Sequence, residues 1–348
     1  MFHQRKINMR HVAIYIASML FLVVLLPYVS IKLFPSLVEH EDGIAYKGEI
    51  PKTVKVYITE KKKYETIPFE KYVQGVTASE MPSAFEPEAL KAQSVASRTY
   101  ALGRINSGAK LCDTVHCQVY RSDNISAKVK DAVNETKGQV LLYDGKLASH
   151  ALYFASSAGK TENSEEVFSG SFPYLVSVSS SYEPGATHKK EKQTMSISTF
   201  SSKIKEHMPE LNFGKIKRSN IRIKSHSKGG RVKSIKVGQK IISGADVRSA
   251  LGLYSARFKI SFKGQKITIT SSGSGHGVGM SQYGANGLAK KGKDYKEILM
   301  MDQNLFKIQM DQYCLCVRGE KLEIYYYDQN EIRLNGHVKV IEYDENRV

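Results

Sequence analysis

Residues 67–105 read IPFEKYVQGVTASEMPSAFEPEALKAQSVASRTYALGRI, and this segment decides the fold. Its first part carries apolar side chains at the i, i+3, i+4 and i+7 spacing of one buried helical face, namely Phe69, Tyr72, Val73 and Val76. Pro82 disfavours helical geometry at the residue before it, so this helix is predicted to end at Glu80. The carboxyl group of Glu80 then lies at the end of an element, where catalytic groups are often found.

A second helix is predicted from Pro87 to about Gly103. Proline suits the first turn of a helix, and Glu86 and Glu88 favour the positive end of the helix dipole. Small side chains dominate its length, which allows another element to approach closely. Its larger polar and aromatic side chains are Gln93, Arg98, Thr99 and Tyr100.

A glutamate at the end of a helix is most often an exposed carboxylate without a chemical role. Here, however, residues 80–82 (EMP) and 88–101 (EALKAQSVASRTYA) closely resemble the core motif of the stage II sporulation protein D family of peptidoglycan lytic transglycosylases. The resemblance implies that Glu80 is the catalytic residue. It also implies that three side chains of the second helix line a glycan-binding groove, namely Gln93, Arg98 and Tyr100.

A glycine-rich run, GSGHGVGMSQYGA, occupies residues 273–285. Its closely spaced glycines allow unusual backbone angles and the close approach of a ligand. A phosphate-binding loop is disfavoured, because neither the Lys-Ser/Thr ending nor a preceding βαβ pattern is present. The run resembles the Gly-His-Gly-Val-Gly-Met-Ser-Gln motif of the same family, which implies that His276 and Gln282 also line the groove.

Between these motifs, residues 155–163 form a small and hydroxyl-rich segment, ASSAGKTEN. Its composition alone indicates a turn. It also resembles the family's Ser-Ser-Gly-Gly-like groove motif, with Ala158 where a glycine is common. That resemblance implies that Ser156 and Ser157 contact the substrate.

Two thiols and an imidazole occur close together in the sequence, at Cys112, His116 and Cys117. They could hold a zinc ion, which usually takes four ligands, or the two cysteines could form a disulfide in an exported protein. Spacing alone does not separate these alternatives. The resemblance favours a structural zinc, because some clostridial-type members bind zinc at a similar cluster, although the spacing here differs. The fourth ligand stays open between His150, His188 and water.

Residues 12–34 are strongly apolar and long enough to cross a bilayer. Arg5, Lys6 and Arg10 precede them, so the positive-inside tendency places residues 1–11 in the cytoplasm and the rest of the chain outside. A cleaved signal peptide is the alternative, and the lack of a convincing small-x-small cleavage site favours an uncleaved anchor. The sequence therefore predicts a single-pass protein of the cell membrane, and the resemblance implies the forespore septum.

The chain has 348 residues and a formal net charge of +17, which indicates an anionic partner. Nucleic acid is disfavoured, because the sequence has no zinc-finger spacing, no RNA-recognition signature and no tryptophan. A lipid surface and an acidic cell-wall polymer remain as candidate partners.

The predicted fold class is α+β, with a single-pass N-terminal membrane anchor followed by an extracytoplasmic mixed α/β catalytic domain that has a basic, β-rich second lobe. Strand periodicity predicts a hairpin from residues 54–58 and 64–67, and residues 139–143 are expected to pair with 151–154. The predicted divisions are a cytoplasmic segment at 1–11, an anchor at 12–34, a linker at 35–52, a catalytic core at 53–180 and 271–299, the basic lobe at 181–270, and a tail of unknown role at 300–348.

Hydrolysis of a glycosidic bond usually takes two carboxyl groups, whereas the motifs offer one. A lytic transglycosylase needs only one, because the C6 hydroxyl of N-acetylmuramic acid (MurNAc) attacks C1 and leaves a 1,6-anhydro sugar. The resemblance therefore implies cleavage of peptidoglycan glycan strands between MurNAc and N-acetylglucosamine (GlcNAc), with a preference for strands that an amidase has stripped of peptides. It also implies septal wall remodelling and engulfment in sporulation, together with a partner amidase (stage II sporulation protein P) and a membrane scaffold (stage II sporulation protein M).

Two other functions are compatible with the sequence. The first is a noncatalytic wall-binding protein that enhances an amidase, since related proteins activate amidases. The second is a zinc amidase built on Cys112, His116 and Cys117, which is disfavoured because paired thiolates more often mark structural zinc. Product analysis separates the three functions, which would yield anhydro sugars, no new product and free stem peptides, respectively.

Overall fold

The computed structural model describes residues 50–143, 146–302, 313–318, 321–326 and 340–341. The predicted segment 1–11, the anchor 12–34 and nearly all of the linker 35–52 lie outside the described residues, as does most of the tail 300–348. Within the described residues, no helix is long and apolar enough to cross a bilayer. Every described residue belongs to one compact unit, Tyr46–Val348.

Two packed helices from the segment at residues 67–105 form the centre of the core. Helix α1 spans Phe69–Glu80 and helix α2 spans Pro87–Asn106, so both helix predictions are confirmed. The predicted apolar face of α1 is buried. Helix α2 needs its small residues, because a Cβ added at Gly103 would collide with the backbone and side chain of Ser149.

A small sheet leads the chain into α1. Strand β1 (Thr53–Ile58) pairs antiparallel with β2 (Lys63–Pro68), which confirms the predicted hairpin. The other edge of β1 pairs in parallel with β3, Leu111–Cys112. Since β3 begins the cysteine-containing segment, this pairing fixes one end of that segment against the core.

Helix α3 spans Ala127–Glu135 and packs against α1 and α2. Short strands follow it, namely β4 (Val140–Tyr143), β5 (Lys146–Leu147), β6 (Tyr153–Phe154), β7 (Gly159–Lys160) and β8 (Ser179–Ser180). Strand β4 pairs with β5, and β7 pairs with β8.

Residues 191–271 form a lobe with an apolar core of its own. It contains β9 (Glu191–Ser196), α4 (Ile197–His207), β10 (Ile221–His226), β11 (Val232–Val237), β12 (Lys240–Ser243), α5 (Gly244–Leu251), β13 (Phe258–Lys263) and β14 (Lys266–Ser271). The strands form two three-stranded sheets in the orders β10-β11-β12 and β13-β14-β9. Side chains on α4 and α5 complete the core of the lobe, and Phe200 and Val247 are fully buried there.

The chain then returns to the core around α1 and α2 through β15 (Met280–Ser281), α6 (Gln282–Lys290) and α7 (Tyr295–Asp302). Helices α6 and α7 both pack against α2. Further along, β16 (Tyr313–Arg318) pairs with β17 (Lys321–Tyr326), and β18 (Val340–Ile341) pairs with β4. The described part of the chain is therefore a mixed α/β structure with seven α-helices and several sheets.

One predicted strand pairing is wrong. Strand β6 pairs in parallel with β15, with Tyr153 opposite Met280 and Phe154 opposite Ser281, and not with 139–143. The two edges of β4 are taken by β5 and β18. Because the partner of β6 lies more than a hundred residues away in the sequence, local periodicity could not identify it.

Candidate active site

Glu80 is the last residue of α1, and Met81 after it is extended, with φ −129° and ψ 133°. The Glu80 Oε1 accepts a 2.7 Å hydrogen bond from the backbone N–H of Val119. Burial raises the pKa of this carboxyl group, and the hydrogen bond from Val119 offsets only part of that rise. No charged side chain among the described residues contributes to the shift. Glu80 therefore keeps its proton to a higher pH than an ordinary glutamate.

Two side chains predicted to line the groove, Gln93 and Gln282, lie directly beside Glu80, but both are buried, at 0% and 7% exposure. The Gln282 side chain, at the start of α6, donates a 2.9 Å hydrogen bond from Nε2 to the Glu80 backbone carbonyl. The same Nε2 lies 3.3 Å from Gln93 Oε1, and the Gln93 amide donates to Ser97 Oγ at 3.0 Å. The structure thus brings together residues from the ends of α1, the middle of α2 and the start of α6.

A buried network that no local sequence pattern predicts also lies near Glu80. Gln118 Nε2 donates to the Tyr153 hydroxyl at 2.9 Å and to the Ser97 carbonyl at 3.3 Å. Burial raises the pKa of Tyr153 well above 10.0, and the negative charge of Glu80 raises it further. Tyr153 is therefore a neutral phenol within electrostatic range of Glu80. The available signal was its position just ahead of the Ser156–Ser157 motif.

Arg98 does not line an accessible groove, which corrects that prediction. Its side chain is fully buried, and its Nε and Nη2 atoms donate to the two carboxylate oxygens of Glu70 at 2.9 and 2.8 Å. The Nη1 atom donates to the carbonyl of Gln139 at 3.1 Å. Arg98 therefore ties α1, α2 and the start of β4 together, which is a structural role.

Tyr100 lies beside Arg104 and the two cysteines. Burial raises the pKa of the Tyr100 hydroxyl, whereas the charge of Arg104 and a hydrogen bond with it act in the opposite direction. Tyr100 thus connects α2 to the cysteine-containing segment.

His276 is held as a neutral imidazole. Burial, together with the charges of Arg231 and Arg248, lowers its pKa to about 4. The backbone N–H of Val278 donates to Nδ1 at 3.1 Å, so the proton of the neutral ring lies on Nε2. A hydrogen bond with the Tyr153 backbone raises the pKa of the ring and offsets part of the fall. Its ring packs edge-on against Phe168, with centroids 5.3 Å apart. His276 can therefore donate a hydrogen bond but does not carry a charge at neutral pH.

The glycines around His276 are required by the protein's own backbone. Gly273, Gly275, Gly277 and Gly279 all have φ between 81° and 100°, where side chains with a Cβ are strained. A Cβ at Gly279 would collide with the Leu152 carbonyl, and one at Gly277 would collide with the guanidinium group of Arg231. The glycine-rich run was predicted to let a ligand approach closely. At these positions it is other parts of the protein chain that approach it.

The Ser156–Ser157 segment is buried and bonded within the protein. Ser157 Oγ donates to the Ser180 carbonyl at 2.8 Å. The Glu183 carboxylate accepts hydrogen bonds from the backbone N–H groups of Ser157 and Ala158 at 2.6 and 3.1 Å, and from Ser281 Oγ at 2.5 Å. Ser157 therefore does not present its hydroxyl to a substrate, whereas the buried Ser156 Oγ has no partner among the described residues.

Cys112, His116 and Cys117 do come together, with their ligand atoms within 4.8 Å of one another. Both cysteines are free thiols, and the Sγ atoms are 2.6 Å apart. Burial raises the pKa of Cys112, but hydrogen bonds from Cys117, Thr114 and His116 outweigh it and lower that pKa to about 7. A low-pKa thiol beside a second thiol and an imidazole fits a zinc ion.

The two proposed fourth ligands lie elsewhere. His150 stacks on Phe172 with centroids 3.9 Å apart, and His188 stacks on Tyr254 and pairs with Glu191 at 3.1 Å. Among the described residues, neither joins the cysteine cluster. Of the fourth ligands considered from the sequence, water is the one compatible with this geometry.

Comparison with known proteins identifies relatives across most of the chain. Residues 57–143 match the family model described as Stage II sporulation protein. Stage II sporulation protein D of Bacillus subtilis (strain 168) is 37% identical over 270 residues, which cover 72% of this chain and 76% of that protein. The protein of the same name from Bacillus amyloliquefaciens is 38% identical over 273 residues, covering 72% and 77%. The amidase enhancer of Bacillus subtilis (strain 168) is 30% identical over 275 residues, covering 65% of this chain and 39% of that protein.

Proposed function

Because the chain belongs to the stage II sporulation protein D family, we propose that this sporulation protein is a lytic transglycosylase. It cleaves peptidoglycan glycan strands between MurNAc and GlcNAc and leaves a 1,6-anhydro-MurNAc end. The observation that carries the proposal is the environment of Glu80, whose pKa is raised by burial without the help of a second carboxylate among the described residues.

A raised pKa suits a general acid that works near neutral pH. Hydrolases with two catalytic carboxylates hold them about 5–9.5 Å apart, and at that range a second ionised group would raise the pKa of Glu80. Burial and the Val119 hydrogen bond instead account for the shift. A single carboxyl group is sufficient only if the substrate supplies its own nucleophile, which favours the transglycosylase reaction.

The reaction uses Glu80 twice. The protonated carboxyl group donates its proton to the glycosidic oxygen as the bond to C1 breaks. The C6 hydroxyl of MurNAc then attacks C1, and the Glu80 carboxylate accepts the hydroxyl proton, which restores the acid. Val119 holds Oε1 at 2.7 Å, so Oε2 is the oxygen that carries the proton. Because the Tyr153 hydroxyl within electrostatic range of Glu80 is neutral, it adds no second negative charge near the carboxylate.

The segment from Cys112 to Val119 connects the cysteine cluster to this acid. Strand β3 ends at Cys112, and Val119 lies two residues after Cys117. A zinc ion held by Cys112, His116 and Cys117 would crosslink this segment, a structural role. The proton transfer itself involves Glu80 and the substrate.

The proposal places the protein in the cell membrane, anchored by residues 12–34 with the catalytic domain outside. Its substrate is septal peptidoglycan stripped of peptides by a partner amidase, stage II sporulation protein P, and a scaffold, stage II sporulation protein M, holds the two together. The high positive charge of the chain supports an anionic wall polymer as its target.

The test is mass spectrometry of the products formed when the full-length protein is incubated with amidase-treated glycan strands. Wild type should produce 1,6-anhydro-MurNAc ends, and Glu80→Gln should produce none, because glutamine cannot donate or accept the proton. Reducing ends in place of anhydro ends would refute a transglycosylase and indicate a hydrolase. Retained cleavage by Glu80→Gln would refute the role of Glu80.

A noncatalytic amidase enhancer is the second candidate, and the 30% identity to a protein named amidase enhancer favours it. This function needs wall binding but no acid at position 80. Glu80→Gln would then bind glycan and stimulate the partner amidase as well as wild type does. Wild type would release no anhydro sugar in the product assay.

A further inference from the structure

Two arginines of the lobe, Arg231 and Arg248, lie near His276, and a third, Arg257, lies near Arg231. The positive charges of Arg231 and Arg248 both lower the pKa of His276, and Arg248 and Arg257 both act on Arg231. Arg257 Nη1 donates to the Gly229 carbonyl at 2.6 Å, and Arg248 Nε donates to the Leu253 carbonyl at 3.3 Å. Backbone carbonyls therefore hold Arg248 and Arg257 in place without neutralising their charge.

Among the described residues, Glu162 is the one carboxylate that pairs with this cluster. Arg231 Nη1 lies 3.1 Å from Glu162 Oε1, and both side chains are almost completely buried, at 4% and 0% exposure. In the described part of the chain, neither Arg248 nor Arg257 forms an ion pair. Positive charge in a partly buried place is costly unless an anion compensates it, so the cluster favours a negatively charged ligand.

The donor geometry of Arg231 points to the same kind of ligand. Its Nε and Nη2 atoms are buried and have no hydrogen-bond partner among the described residues. In Arg98 the same two atoms bind both oxygens of the Glu70 carboxylate, at 2.9 and 2.8 Å. This pair of nitrogens matches the two oxygens of a carboxylate.

Tyr153 links the cluster to the catalytic acid. Its side chain lies within electrostatic range of Glu80, and its backbone bonds the His276 ring, which lies beside Arg231 and Arg248. Gly277 also packs directly on the Arg231 guanidinium. Tyr153 and its contacts therefore join the cluster to the surroundings of the acid.

We propose that Arg248 and Arg257, with Arg231 beneath them, form a subsite that binds the free lactyl carboxylate of a muramic acid residue whose stem peptide has been removed. The inference rests on the proposed function, because it names the group recognised beside the same acid. Arg248 and Arg257 are partly exposed and contact the carboxylate directly. Arg231 lies against Gly277 behind them, and its Nε and Nη2 atoms, unpaired among the described residues, add positive charge there.

The chemistry of the wall explains why this subsite selects its substrate. When a stem peptide is attached, the lactyl carbonyl is part of a neutral amide. Amidase cleavage leaves a carboxylate at that position, and it is the anionic form that two guanidinium groups attract. Stem peptides carry carboxylates too, so peptide-bearing strands are the alternative source of the same anion.

The experiment measures binding in the full-length Glu80→Gln protein, which removes the effect of cleavage. Three glycan preparations are compared: amidase-treated strands, the same strands with their carboxylates converted to methylamides by methylamine and a carbodiimide, and strands that keep their peptides. We expect the amidase-treated strands to bind about tenfold more tightly than either other preparation, as one or two charge-assisted hydrogen bonds would give. Equal binding of free and methylamidated strands would overturn the subsite.

Variants then locate the effect. Arg248→Gln with Arg257→Gln should remove the tenfold preference, and Arg248→Lys should keep part of it. Arg222→Gln is the matched control, because Arg222 is an exposed arginine of the same lobe that carries the same charge change. If Arg222→Gln removes the preference as completely as the Arg248 and Arg257 substitutions do, general surface charge is responsible and the subsite is refuted. The chemical comparison on the Glu80→Gln protein needs no lobe variant, so equal binding of free and methylamidated strands overturns the subsite even if the arginine variants fail to fold.

The two proposals can fail separately. Carboxylate-dependent binding without anhydro products would leave the subsite standing and refute the transglycosylase. Formation of anhydro products from free and methylamidated strands at equal rates would support the transglycosylase and refute the subsite. Tight binding of peptide-bearing strands that is lost in the double arginine variant would assign the subsite to peptide carboxylates and overturn the present assignment.

Discussion

Replacing Gly277 by alanine should lower the free energy of unfolding by about 3–5 kcal/mol, a large effect for the addition of one methyl group. Gly277 has φ +92°, a conformation that costs a residue with a Cβ about 1–3 kcal/mol. The added methyl would also overlap the guanidinium of Arg231. Arginine side chains are normally flexible, but this one is buried and paired with Glu162 at 3.1 Å, so it cannot move aside without weakening that pair.

Gly292→Ala is a matched control for the backbone term. Gly292 has φ +81°, close to that of Gly277, but no atom lies within 4 Å of a Cβ added there. Its substitution should therefore cost about 1–2 kcal/mol, the expense of the left-handed conformation alone. The difference of about 2–3 kcal/mol between the two variants then measures the displacement of Arg231 and the disturbance of its buried ion pair.

Both variants are assayed by urea unfolding of the full-length protein, followed by far-ultraviolet circular dichroism. The midpoint reports stability, and an unchanged slope shows that the same surface is exposed on unfolding. If Gly277→Ala costs no more than Gly292→Ala, Arg231 has room to move. The interpretation of the glycine run as a close contact between the core and the lobe would then be refuted.

Two further predictions follow from the site. The pKa of Glu80 is raised above its ordinary 4.5 on folding, so wild type loses stability as pH rises from 4.5 through the folded pKa. Glu80→Gln should therefore be more stable than wild type at neutral pH and no more stable below pH 4.5. If the free energies of unfolding of the two proteins differ by the same amount at every pH, the burial of this carboxyl group is contradicted. Elemental analysis of the full-length protein should find zinc in wild type and none in Cys112→Ser or Cys117→Ser, because each variant removes a thiolate ligand. A metal-free wild type whose thiols react only after reduction would instead indicate a disulfide between Cys112 and Cys117.

Local sequence patterns predicted the elements that carry the site. Glu80 falls at the end of α1 because Pro82 stops the helix, and the buried face from Phe69 to Val76 follows from helical spacing alone. The run of small residues correctly predicted that α2 is closely packed. These features depend on neighbours within a few residues, which a sequence displays directly.

The side-chain partners were harder to predict, because they join distant parts of the chain. Arg98 occupies the interior because Glu70, on the preceding helix, supplies a carboxylate of matching geometry. The role of Gln118 depends on Tyr153, and that of Arg231 depends on Glu162 and Gly277. No local pattern shows such pairings, so a buried arginine and an exposed one look alike in the sequence.

Long-range hydrogen bonds between the α1–α2 segment and the α6–α7 segment bear on how the protein is made. Gln282 bonds Glu80, Asn286 bonds Glu86, and Tyr295 bonds Glu88, at sequence separations of 202, 200 and 207 residues. Contacts between residues so far apart in the sequence form late in folding, because the long stretch of chain between them must first close into a loop. A growing chain therefore carries Glu80 long before it can complete the surroundings of that residue. We expect the proposed glycan-cleaving activity to arise only when the chain has been synthesised beyond Tyr295, so that shorter, unfinished chains are harmless to the cell that makes them.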